Sequence, residues 1–218
     1  HWRMSVDREV NSVRHSVGFC DVSTLGKIDI QGKDALEFVN KVYCNGFAKL
    51  PVGKVRYGLM LREDGIVMDD GTTARMTENH FIMTTTTVNA ESVYRHLEFC
   101  HQCLWPEMDV HLISTTDAWA QIAIAGPNSR KIISKIVDKK FDVSNENFPF
   151  MACKEITICG GVLARLFRIS FSGELAYELS VPTQYASSLA SYLMEIGKEE
   201  NIIPYGTEAL GVMRIEKG

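Results

Sequence analysis

Two groups of carboxylates in this chain have the types and spacing to do chemistry. In "LREDGIVMDDGTTAR", residues 61–75, Asp69 and Asp70 are adjacent on a segment that period-two patterning predicts to be a strand returning from a turn at Glu63-Asp64-Gly65. Successive strand residues point to opposite faces, so at most one of the two can look into a pocket. A pocket carboxylate is a candidate proton acceptor and a stabiliser of developing positive charge. The plainer alternative is that both acids end a strand and accept nearby backbone amides. In "FRISFSGELAYELSVP", residues 167–182, Glu174 and Glu178 lie around Tyr177 and share a strand face unless the Ser172-Gly173 break rephases it. A carboxylate beside aromatic rings suits a flat, nitrogen-rich heterocycle, because it accepts two parallel N–H bonds while the rings stack. An exposed strand with solvated acids is the alternative.

A third motif, "CHQC" at Cys100–Cys103, has metal-like spacing, yet a lone C-x-x-C supplies two of the four ligands that structural zinc requires. Val93, Leu97, Cys100 and Leu104 fall at helical spacing, which assigns the pair to a helix end rather than to a metal. The six cysteines of this 218-residue chain read as reduced thiols. Neither a phosphate loop nor a dinucleotide fingerprint is present, since Gly58, Gly65 and Gly71 are spaced by strands and turns.

A net charge of -4 with interspersed Lys, Arg, Asp and Glu offers no basic field to nucleic acid. No apolar run reaches the roughly 18–20 residues of a membrane span, and "HWRMSVDREV" has no signal-peptide pattern, so a cytosolic location is expected. The first residue is His1 and the last are "RIEKG", which suggests an excerpt of a longer polypeptide.

The elements that must hold these residues follow from periodicity. Residues 1–13 read as a polar lead-in, and "VGFCDVSTLGKIDIQG" as half-buried strands. "KDALEFVNKV" is helical, with Ala35, Leu36, Phe38, Val39 and Val42 on one face. "VRYGLML", "GIVMDDGTTARM" and "FIMTTTT" form an antiparallel meander. Residues 89–104 form a helix, "DVHLIS" and "WAQIAIAG" are strands meeting near "TTDA", and "GPNSRKIISKIV" is a helix with Pro127 in its first turn. The loop at 141–149 marks a possible subdomain break. A hairpin turning at Gly160-Gly161 follows, then a helix capped by Thr183 with Tyr185, Leu189, Leu193 and Ile196 inward, and a last helix from Thr207. Strands run mostly in hairpins with helices between, so the expected class is α+β with antiparallel sheets and packed helices.

In their order, "VGFCDVSTLGKIDIQGKDALEFVNKVYCN", "YGLMLREDGIVMDDG", "IAIAGPNSR", "RISFSGELAYELSVP" and "GTEALGVMRIEKG" resemble the aminomethyltransferase family, the folate-binding fold of the glycine-cleavage T-protein. The resemblance runs from about residue 14 to residue 218, without the family's C-terminal barrel domain. Within the family, "DVSTLGKIDIQG", "RYGLMLREDG", "MDDGTTAR" and "FRISFSGELAYE" are similar to the C-terminal part of heterotetrameric sarcosine oxidase alpha subunits.

The resemblance implies tetrahydrofolate as the bound cofactor and transfer of a one-carbon unit to it. Residues 64–70 resemble the motif GG-x-x-DD, in which relatives with a single acid keep the second. This gives Asp70 the role beside the reactive folate nitrogens and makes Asp69 its structural neighbour. "FSGELAYE" lies over YTGEDGFE, which puts a pterin-binding carboxylate at Glu178, with Phe171 and Tyr177 as aromatic neighbours and Phe171 replacing a tyrosine. Arg214 in "VMRIEKG" matches an arginine that would pair with a folate carboxylate, or equally would form an internal ion pair with Glu216 or Glu208. Sarcosine oxidation would use FAD, FMN or NAD held by other segments or by partner subunits. The alternatives within the resemblance are a glycine-cleavage aminomethyltransferase and a non-catalytic folate-binding protein of iron-sulfur assembly.

Overall fold

The apolar periodicities resolve into helices and strands over residues 2–218, which the computed structural model describes. In chain order the first elements are α1 (Trp2–His15), β1 (Gly18–Asp21), β2 (Gly26–Gln31), α2 (Ala35–Val42), β3 (Lys54–Leu61), β4 (Val67–Thr77) and β5 (His80–Thr85). Next come α3 (Ala90–Phe99), β6 (His111–Ser114), β7 (Trp119–Ala125), α4 (Ser129–Ile136), β8 (Cys153–Ile158) and β9 (Val162–Phe167). The last are β10 (Ala176–Pro182), α5 (Ala186–Ile196), β11 (Ile203–Pro204) and α6 (Thr207–Lys217). The class is α+β, as the hairpin pattern implies.

The chain forms two units, one of residues 24–119 and one of the residues up to 23 together with 120–218. The 141–149 loop, expected as a possible break, lies inside the second of these. Of the expected lead-in 1–13, residues 2–13 form most of α1, whose Val10 and Val13 are buried.

In the 24–119 unit, five strands pair in the order β3-β4-β5-β2-β6, every neighbour antiparallel. Strand alternation puts Ile28, Ile30, Phe81 and Met83 on one face, against Phe38 and Val39 of α2 and Val93 and Leu97 of α3. Burying each of these large side chains contributes about 1.5–3 kcal/mol. The expected 89–104 helix is α only to Phe99 and finishes as a π-helical turn over Cys100–Leu104, with Cys100 buried and Cys103 exposed.

In the other unit the order is β11-β1-β7-β10-β9-β8, with β1 parallel to β11 and antiparallel to β7. One sheet face carries Phe19, Ile122, Ile124, Tyr177, Leu179 and Val181 against α4 and α5. The opposite face carries Cys20, Ala125 and Ala176 against α1 and α6. β6 and β7, read as strands meeting near "TTDA", thus belong to different sheets. Leu189 and Leu193 of α5 face inward, but Tyr185 is exposed and belongs to a 3-10 turn, Thr183–Tyr185.

Candidate functional site

In the 24–119 unit the two aspartates divide as alternation requires. Asp69 is 5% exposed and accepts the Thr86 N–H at 3.1 Å, the Thr86 hydroxyl at 2.7 Å and the Asn89 amide at 3.1 Å. The reason lies in the pairing of β4. Its register with β5 runs between Thr73↔Met83 and Thr77↔His80, so at Asp69 the ladder has ended and the carboxylate takes over as acceptor for residue 86. Gly71 lets this happen: a Cβ there would come within 2.0 Å of the Thr84 carbonyl oxygen. The Thr84 hydroxyl meanwhile receives the Thr72 N–H at 3.1 Å.

Asp70 points the other way and is partly exposed. Its Oδ2 accepts the Tyr57 hydroxyl at 2.7 Å, and among the described residues this phenol is its only donor. That bond, then partial burial, pushes the Tyr57 phenol up to about 12, so it stays a donor at any physiological pH. The β3–β4 register runs Leu59↔Asp70, Met60↔Asp69, Leu61↔Val67, which leaves Met68 as an unpaired bulge. The bulge puts Val67 on the face of Asp70, where Tyr57, Leu59 and Leu61 also lie. The carboxylate is therefore presented to solvent within an apolar rim.

In the other unit Glu178 is half-buried on β10, in register with Phe167 of β9. It accepts a hydrogen bond from the Gln121 side chain of β7. Tyr177 follows the opposite phase: it is fully buried, stacked 6.4 Å from Phe148 and covered by the Arg130 guanidinium at 5.9 Å. It is a core ring on the far face from Glu178, which corrects its expected place as a neighbouring aromatic wall. The Tyr177 hydroxyl is buried without a hydrogen-bond partner among the described residues. Tyr177→Phe should therefore stabilise the protein, by about 1–2 kcal/mol, seen as a higher denaturation midpoint at unchanged slope.

Phe171 has the exposure that Tyr177 lacks, at 55%, and Arg214 of α6 lies over its ring at 5.8 Å. Arg214 makes no ion pair among the described residues. The internal pairing falls instead to Arg14 at the end of α1. Its guanidinium donates to Glu174 at 2.7 Å and the Ser172 carbonyl at 3.0 Å, and to Glu216 and the Met213 carbonyl, each at 2.9 Å. Lys217 adds a second cation to Glu174 at 3.1 Å. Glu174 thus precedes β10 and is tied inward, and Gly173, at φ +77, makes the bend that separates it from Glu178.

Burial would raise the Glu174 carboxyl, but the bonds from Arg14 and Lys217 outweigh it and hold the pKa below its ordinary value. A depressed folded-state pKa gives stability that is complete above the unfolded value, about 4.3, and is lost as pH falls through the folded one. Arg14→Met should cost about 2–3 kcal/mol at neutral pH and flatten the acid limb of the stability profile, measured by denaturant unfolding at stepped pH.

Sequence reasoning missed Tyr57, Gln121 and Arg14. The one legible signal was Gln121, a lone amide inside the apolar run "WAQIAIA". Among the described residues no three His, Cys, Asp or Glu side chains converge as metal ligands, and no helix is long and apolar enough to cross a membrane.

These arrangements have recognisable relatives. The family model for the GCVT N-terminal domain matches residues 1–218. The chain belongs to this family. It is 63% identical over 218 residues to the sarcosine oxidase subunit alpha of Rhizobium meliloti (strain 1021), covering 100% of this chain and 22% of that protein. It is 32% identical over 212 residues to the aminomethyltransferase of Geobacillus sp. (strain WCH70), covering 97% of the chain and 56% of the relative. The GCVT fold is also that of the glycine cleavage system aminomethyltransferase T of Bartonella henselae, with a TM-score of 0.82 at 24% identity over 97% of this chain and 54% of that one. The GCVT chain thus spans about a fifth of the sarcosine oxidase subunit and about half of the aminomethyltransferases it matches.

Proposed function

We propose that this chain is the tetrahydrofolate-binding part of a sarcosine oxidase alpha subunit, and that it passes the one-carbon unit of oxidised sarcosine to tetrahydrofolate. The observation that carries the reading is the division of labour at 69–70. Asp69 accepts three bonds from Thr86 and Asn89, whereas Asp70 keeps more acceptor capacity and is aimed by one phenol among the described residues.

The residues present fit a reduced folate. Glu178 is an acceptor for amino and ring N–H groups, Phe171 offers an exposed ring, and Arg214, without an ion-pair partner among the described residues, is a cation for a carboxylate tail. Oxidation of the N-methyl group, with whatever FAD, FMN or NAD it uses, is assigned to other segments or partner subunits of a heterotetramer in the cytoplasm. The product of that step is an iminium, CH₂=NH⁺–CH₂–COO⁻. When it meets tetrahydrofolate, two C–N bonds form to the folate nitrogens and the bond to glycine nitrogen breaks. The two folate N–H protons end on the glycine amine. Asp70 would stabilise the cationic carbon and accept the first of these protons before returning it to the leaving amine.

The 32% identity to an aminomethyltransferase supports the second reading, in which the one-carbon donor is the aminomethyl carrier of glycine cleavage. Calorimetric titration with 5-formyltetrahydrofolate tests what both share: micromolar binding is expected, and no binding would reject a folate role.

A further inference from the structure

Gln121 is 1% exposed on β7, on the sheet face that α1 and α6 cover, where Ala123 and Ala125 share its side of the strand. An amide in such a place is costly unless both its ends are paired. Both are. The Ser180 hydroxyl donates to Oε1 at 3.0 Å in a fully buried bond, and Nε2 donates to the Glu178 carboxylate. A carboxylate only accepts, so the amide has one permitted orientation, with its NH₂ toward Glu178 and its oxygen toward Ser180. The backbone of Gln121 is pinned as well, its N–H donating to Ser23 Oγ at 3.0 Å and its carbonyl accepting the Val22 N–H at 2.9 Å.

We propose that Gln121 is a positioning residue that aims the Glu178 carboxylate at the heterocycle, with Ser180 holding the amide in register. Without the amide, Glu178 would lose the bond that fixes this orientation, and part of the binding free energy would go into restoring it. This rests on the reading of Glu178 as the folate carboxylate. The charged and titratable groups on this face include Arg165 of β9, in register with Ser180 and 3.5 Å from Glu155, Tyr205, whose phenol is raised by burial and then by Cys20 and Glu178, and Cys20, whose thiol is raised by burial and then by Asp21 and Glu9.

The test is a thermodynamic cycle on 5-formyltetrahydrofolate affinity in the protein that carries this chain. Gln121→Leu should weaken binding about 10-fold, the cost of ordering a carboxylate that is no longer aimed, and Gln121→Leu combined with Glu178→Gln should be no weaker than Glu178→Gln alone. Additive losses would overturn the proposal, because a merely structural defect has no reason to vanish when Glu178 is neutral. Should the leucine variant fail to fold, the isosteric Gln121→Glu carries the test. Near pH 5.5 one of the paired carboxyls keeps a proton and mimics the amide, whereas near pH 8 both ionise and repel. The affinity of Gln121→Glu should then fall about 10-fold more than that of the wild type across this range; a wild-type pH profile would overturn the inference. Wild-type protein that binds no reduced folate at all would instead overturn the underlying reading of Glu178.

Discussion

On the function proposed above, replacing Asp70 with Asn should leave sarcosine consumption by the complete enzyme intact while diverting the one-carbon unit from methylenetetrahydrofolate to free formaldehyde. The amide keeps the size of the carboxylate and still offers an oxygen to the Tyr57 hydroxyl, which now holds Oδ2 at 2.7 Å, so the β3–β4 hairpin should survive the change. What it removes is the negative charge beside the cationic carbon and the ability to accept a proton. General-base action alone is worth about 10²- to 10⁴-fold, and the transfer rate should fall within that range. Water would still hydrolyse the iminium of the proposed reaction, so the missing product should reappear as formaldehyde. The measurement is the ratio of methylenetetrahydrofolate to formaldehyde at saturating tetrahydrofolate. An unchanged ratio would reject Asp70 as the base. Asp69→Asn makes the contrast: its NH₂ would face donors from Thr86 and Asn89, so the expected damage is to stability.

The difference between these neighbours shows what the sequence can and cannot convey. Alternation alone says that one of two adjacent strand acids faces inward, and the antiparallel meander around them is legible because residues 55–85 hold period two. Which acid faces in depends on a bulge at Met68 and on where β4 leaves β5, and both are set by partner strands rather than by local pattern. Phe171 and Tyr177 differ in the same way. They are six positions apart and look alike as aromatic walls, until the bend at Gly173 starts β10 afresh and alternation sends Tyr177 into the core. Arg14 was illegible for another reason: its partners, Glu174 and Glu216, are 160 and 202 residues away, and a helix that reads as polar gives no sign of what its last turn will meet. Much of the core was readable, since Phe38, Val39, Leu189 and Leu193 are buried where helical spacing puts them, but Tyr185 and Leu104, at element ends, are exposed.

The other large effect is expected at Glu178, and on binding rather than on chemistry. Glu178→Gln keeps the length of the side chain and leaves an oxygen for the Gln121 amide, so the buried pair with Ser180 behind it should persist. On the proposed reading it removes the charge that would strengthen bonds from the amino and ring N–H groups of a pterin, and it turns one acceptor into a donor that would face those N–H groups. Losing charge-assisted bonds costs about 1.5–3 kcal/mol, so reduced-folate affinity should fall about 10- to 150-fold, with little change in partitioning once folate saturates. Glu174→Gln is the matched control, because Glu174 is spent on Arg14 and Lys217; it should lower stability in the neutral range and leave affinity near wild type. Calorimetry on both variants decides between the two acids. If Glu174→Gln loses the folate while Glu178→Gln retains it, the bend at Gly173 delivers the wrong carboxylate, and the pterin assignment must move to the Arg14 cluster.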